Sequence, residues 1–120
     1  MTQSPSVLIV EPSADEREVL RTVLARRGLR IWEAAEVERG LELAREHHPD
    51  VILLDTEANH AGDDGVQAEF DATSIAQHSS LIILGRISHD HSLPASQVIA
   101  KPYHFAPLIH KIEQLAARAA

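Results

Sequence analysis

Val51-Ile52-Leu53-Leu54-Asp55 is a run of four apolar residues closed by a carboxylate. A run without polar alternation predicts a strand covered on both faces, as at the centre of a parallel sheet. Two further runs share the pattern: Val7-Leu8-Ile9-Val10 ahead of Glu11, and Leu81-Ile82-Ile83-Leu84 ahead of Gly85. Leu29-Arg30-Ile31-Trp32 alternates instead, so only one of its faces is covered, and Val98-Ile99-Ala100 is short. Both read as edge strands.

Helical patterns fill the intervals. Pro12 ends the first strand because it cannot continue a central ladder. Ser13-Ala14-Asp15-Glu16 then forms a capping box in which Glu16 is expected to reach back to Ser13. Val19, Leu20, Val23 and Leu24 follow at helical spacing, and Gly28 stands where a left-handed helix end is needed. A second helix is expected over Val37–His47, with Leu41 and Ala44 inward, and a weaker one over Val66–Gln77. Phe105, Leu108, Ile109, Ile112 and Leu115 mark a closing amphipathic helix.

Strands alternating with helices imply a parallel sheet with right-handed crossovers. Ranking the strands by coverage gives the order 2-1-3-4-5, a doubly wound, flavodoxin-like α/β domain. It occupies residues 1–120 as one unit, with flexible ends at 1–5 and 116–120. The fifteen residues Arg86–Ala100 must hold a helix, a strand and two loops, and Pro94 interrupts them. The helix between strands 4 and 5 is therefore expected to be short or absent.

Composition narrows the classes. A chain of 120 residues suits one hydrophobic core, and with 3% aromatics that core must be built from Val, Leu, Ile and Ala. The absence of cysteine excludes disulfides and thiolate metal sites. A formal charge of -7 argues against a nucleic-acid surface. No apolar run reaches membrane-spanning length and Met1–Ser6 lacks a signal pattern, so the default location is cytoplasmic.

In open sheets of this order, ligands bind beyond the carboxyl ends of the strands where the chain order reverses. That point lies between strands 1 and 3, which brings Glu11 and Asp55 together. Taken in order, Val7–Glu11, Asp50–Asp55, Gly65 and Lys101-Pro102 resemble the receiver domain of two-component response regulators. The resemblance covers nearly the whole chain. It implies a non-enzymatic signalling module that takes a phosphoryl group from a histidine kinase or phosphotransfer protein onto Asp55. It further implies that Lys101 contacts the phosphoryl group or Asp55, and that Mg is held by Glu11, Asp55 and Glu57. Output is then expected through strand 5 and the closing helix around His104–Lys111, with a homodimer as an open alternative.

The departures from the family's pattern are specific. Its second acidic position is Pro12, its strand-4 hydroxyl position is Gly85, and its aromatic switch position is Val98. These changes remove a hard oxygen ligand and both switch groups, which implies a pseudo-receiver in which phosphorylation and the Mg site are weakened or lost. Glu57, Asp63 or Asp64 could compensate; the plain alternative is an acidic, solvated loop. Four of the eight histidines, His60, His89, His91 and His104, fall at the same end of the sheet, but their spacing fits no zinc template. A small-molecule or cofactor-binding domain on the same fold is the competing function. It lacks a glycine-rich loop after strand 1, where Glu11-Pro12-Ser13-Ala14 stands. A hydrolytic enzyme would need a nucleophile–base pair, and the motifs supply none.

Overall fold

The computed structural model describes residues 4–55, 57, 64–85, 98–100 and 103–119. The strands are β1 (Ser6–Val10), β2 (Arg30–Ala34), β3 (Val51–Asp55), β4 (Ser80–Gly85) and β5 (Val98–Ala100). The helices are α1 (Ala14–Arg26), α2 (Val37–His47), α3 (Asp64–Gln77) and α4 (Phe105–Ala119). All pairings are parallel and the strand order is β2-β1-β3-β4-β5. The three uniformly apolar runs are the central strands, as their coverage predicts. No described helix is long and apolar enough to cross a membrane.

Alternation along the central strands divides their side chains between two cores. Ile9, Leu53 and Ile82 face α1 and α4, meeting Leu20, Leu24, Leu108 and Ile112. Leu8, Ile52 and Leu81 face the other way, toward Leu41 and Ala44 of α2 and Phe70 of α3. Burying each such side chain is worth roughly 1.5–3 kcal/mol, so the cost of shifting β1 or β3 by one register position is large. Gly40 brings α2 close to the sheet: a Cβ there would sit 2.7 Å from Cγ2 of Val10 and 3.2 Å from Cζ of Phe70.

Helix ends explain the boundaries that the sequence pattern misplaces. At the end of α1, Gly28 has φ +84 and donates its N–H to Ala25, while Leu29 donates to Leu24. This is a Schellman closure with its apolar contact, since Leu24 and Leu29 share one core. Leu29 is thus spent on capping α1, and β2 begins one residue later than expected and runs on to Ala34. The third helix also starts earlier than expected, at Asp64.

Two histidines take the left-handed conformation that glycine usually fills: His48 (φ 49) after α2 and His78 (φ 57) after α3. His48 donates its N–H to Ala44, and Ser79 donates to Ser74 across His78. At the opposite end of the sheet from Asp55, Asp50 ties three strands together. Its Oδ2 accepts the Ser6 N–H at 2.8 Å, its N–H donates to the Ser6 carbonyl, and its carbonyl accepts the Ser80 N–H.

The expected loose ends are partly held. Arg30 donates through its backbone to Pro5 and through Nε to Ser4, and Ala116 is buried within α4. The expectation of a short or absent helix between β4 and β5 lies outside the described residues.

Relieving a left-handed side chain should stabilise the fold. His78→Gly is expected to add roughly 0.5–1 kcal/mol and raise the melting temperature by about 2–5 °C. Gly28→Ala, at a position with open space around it, should lose at least as much through backbone strain alone. Thermal unfolding of both variants checks the pair.

Candidate acidic site at the ends of strands 1 and 3

Val10 of β1 lies opposite Leu54 of β3, so the next residues, Glu11 and Asp55, emerge side by side. Each is only 1% exposed. Glu11 is held by its backbone from two directions. Its N–H donates to the Ala34 carbonyl at the end of β2, and its carbonyl accepts Arg17 Nη1 at 2.7 Å. Arg17 also pairs with Glu33 of β2 at 3.5 Å, and Arg21 meets the same carboxylate at 3.3 Å.

The side chain of Glu11 departs from the expected capping box. Its Oε1 accepts the Ser13 N–H at 3.1 Å, the donor that a capping-box glutamate would take. Ser13 still caps α1 through its hydroxyl, which accepts the Glu16 N–H at 3.3 Å. Glu16 is consequently not drawn back to the cap. Its carboxylate instead joins Glu11 and Asp55 in a group whose ligand atoms all lie within 4.8 Å of one another. Asp55 Oδ1 accepts the N–H of Glu57 at 2.8 Å, so the turn after β3 orients the carboxylate.

Two buried carboxylates side by side cannot both ionise cheaply. Burial first, then the hydrogen bond to Asp55 and its negative charge, push the Glu11 carboxyl from 4.5 up to about 8. The Ser13 N–H pulls the other way without offsetting them. Glu11 Oε2 receives no hydrogen bond from any protein donor among the described residues, whereas a side-chain bond to Asp55 contributes to the raised pKa. A proton reconciles the two, because an ionised Glu11 offers Asp55 only acceptors. When the proton leaves, the same oxygen is available to a cation. The donor set is three carboxylates, hard oxygen ligands of the kind Mg, Ca and Mn prefer, so these residues fit a divalent ion.

The expected site residues divide as follows. Glu11 and Asp55 are brought together. Glu57 stands outside the carboxylate group and contributes its backbone N–H; its side chain is exposed. Gly85 ends β4 opposite Ala100, and Val98 opens β5 opposite Ile83. Pro12 is exposed. Lys101, Asp63, His60, His89 and His91 lie outside the described residues, as does the side chain of Asp64. His104 is exposed ahead of α4. Trp32 packs at the edge strand as expected, its ring 4.5 Å from that of His47 and stacked on it. Glu16 and Arg17 were not legible as site residues, because Glu16 fits a capping box and Arg17 an exposed helical face.

Residues 7–113 match the response regulator receiver domain family. A stretch of 51 residues, 42% of the chain, is 45% identical to the transcriptional regulatory protein AfsQ1 of Streptomyces coelicolor, covering 23% of it. A stretch of 50 residues is 46% identical to the KDP operon transcriptional regulatory protein KdpE of Escherichia coli, covering 42% of the chain and 22% of the relative. The matched stretch thus spans less than a quarter of either curated relative. Among solved structures, a Francisella response regulator receiver domain superposes with TM-score 0.81 at 17% identity, covering 98% of this chain and 100% of that one.

The raised Glu11 fixes a pH dependence. Between pH 4.5 and about 8 the folded state keeps a proton that the unfolded chain has lost. The associated stability is fully present below pH 4.5 and lost as pH rises through about 8. The fall approaches roughly 1.4 kcal/mol per pH unit within that window. Glu11→Gln, which keeps a donor toward Asp55 without a titration, should flatten the slope. Urea unfolding across the window, in chelator, measures both.

Proposed function

From the premise that this chain belongs to the response regulator receiver family, we propose that Asp55 is its phosphoacceptor. The chain is a receiver domain of two-component signalling, a module that works with histidine kinases or phosphotransfer proteins. The observation that carries the finer reading is Asp55 at the end of β3, buried beside Glu11 with its Oδ1 fixed by the Glu57 N–H.

In this reading an Asp55 carboxylate oxygen attacks the phosphorus of a phosphohistidine. The bond from phosphorus to the donor nitrogen breaks, and an acyl phosphate forms. The protein's task is positioning and neutralising charge. Asp55 must be ionised and held in line, which the Glu57 N–H does. Glu11 must give up its proton so that the group can accept positive charge. What a bound divalent cation supplies there is charge against the phosphoryl oxygens. Lys101, one residue beyond β5, is proposed to contact a phosphoryl oxygen.

The response downstream is proposed to be weak. Gly85 has no hydroxyl to bond the phosphoryl group, and Val98 has no ring to swing in answer. Partner contacts are then proposed on β5 and the start of α4, over His104–Lys111, where His104, Phe105 and His110 are exposed. The competing ligand-binding reading is not favoured, since Glu11 Oε1 already takes the Ser13 N–H, a donor that a phosphate-bearing cofactor at this loop would need.

Titration with magnesium and then beryllofluoride, followed by backbone amide shifts, tests this. The expected result is shifts at Glu11, Asp55 and Glu57, with little change along α4. Asp55→Asn should abolish the beryllofluoride response. Silence at all three residues in the unaltered protein would overturn the phosphoacceptor role.

A further inference from the structure

We propose that Glu16, in the first turn of α1, supplies the divalent cation with the carboxylate ligand that Pro12 cannot. The inference rests on the reading of Glu11 and Asp55 as a cation-holding phosphorylation centre and identifies a ligand that the receiver pattern does not provide.

Three observations meet at Glu16. Its carboxylate lies with those of Glu11 and Asp55, all ligand atoms within 4.8 Å of one another. Ligands on opposite sides of a cation held at about 2.0–2.6 Å are about 4–5.2 Å apart, so one ion can span the group. Next, Glu11 Oε2 is buried in that same group and receives no hydrogen bond from any protein donor among the described residues. An orphaned buried carboxylate oxygen is costly unless something positive meets it. Third, the backbone donor that would hold Glu16 at the helix cap, the Ser13 N–H, is already taken by Glu11 Oε1. The helix start thereby leaves Glu16 available to the site.

The chemistry of exchange also fits. Proline has no side-chain oxygen, and Pro12 is exposed. Glu16 is exposed as well, so it can close on an ion from the solvent side while Glu11 and Asp55 wait beneath. The resulting set is one exposed and two buried carboxylates, with waters completing the shell as oxygen-seeking cations require.

The test uses the chain stripped of metal and titrated with Mn2+, read by water proton relaxation, with Mg2+ competition. Glu16→Gln should weaken Mn2+ binding at least about tenfold. Glu18→Gln, an exposed glutamate on the same helix, should leave binding unchanged. Adding Pro12→Asp to Glu16→Gln should restore affinity to within a few fold of the unaltered protein. If Glu16→Gln binds as tightly as the unaltered chain, the assignment of Glu16 fails and the phosphoacceptor reading stands. If the unaltered chain takes neither Mn2+ nor Mg2+, the Glu16 inference and the cation part of that reading fail together.

Discussion

Glu11 and Asp55 are side by side because β1 and β3 pair in parallel with Val10 opposite Leu54. That register is not adjustable. A shift of one residue would turn Leu8 and Ile9, or Ile52 and Leu53, onto each other's faces and dismantle both cores at once. The apolar strands therefore impose on two acids a proximity that neither would adopt alone. The rest of the site follows from the need to relieve it. Backbone donors from Ser13 and Glu57 take one oxygen of each carboxylate, and a proton on Glu11 relieves the remaining repulsion.

Helix α1 carries much of that relief. Its first turn presents Ser13, Glu16 and Arg17 to the loop that follows β1. Ser13 caps the helix with its hydroxyl and steadies Glu11 with its N–H. Arg17 fixes the Glu11 carbonyl and leans on Glu33 of the neighbouring strand. The position of the Glu11 carboxylate is thus coupled to β2 through a guanidinium, as well as to β3 through Asp55. The same helix anchors itself at its far end through Gly28 and the Leu24–Leu29 contact. The segment that shapes the site is consequently pinned at both ends.

How much of this could be read from the chain depends on how local each determinant is. Strand order was legible because uninterrupted apolar runs at 7–10, 51–54 and 81–84 can only be satisfied with helices on both faces. The pairing of Glu11 with Asp55 followed from that order alone. The exact start of β2 was not legible, because Leu29 serves either as a strand residue or as the apolar lid of a Schellman closure, and only packing against Leu24 decides. Glu16 was missed for a similar reason. A capping box specifies what the glutamate can reach and says nothing of a rival acceptor. Glu11, five residues earlier and outside the helix, wins the Ser13 N–H because burial leaves it few other donors.

The proline at position 12 then changes meaning. An acid there would hang a third carboxylate from an exposed loop, held by nothing but solvent and an ion. Moving that carboxylate to Glu16 places it in the first turn of α1, where the helix dipole favours a negative charge by about 0.3–1 kcal/mol. The total charge available to a cation is kept while the loop is stiffened by the fixed φ of proline. On that argument the loss of the family's second acid is a relocation of the ligand. Beyond Asp55, Gly85 at the end of β4 carries no hydroxyl and Val98 at the start of β5 carries no ring. On the reading proposed above, a centre that gathers charge without a hydroxyl or a ring beside it would act mainly by what docks on it directly.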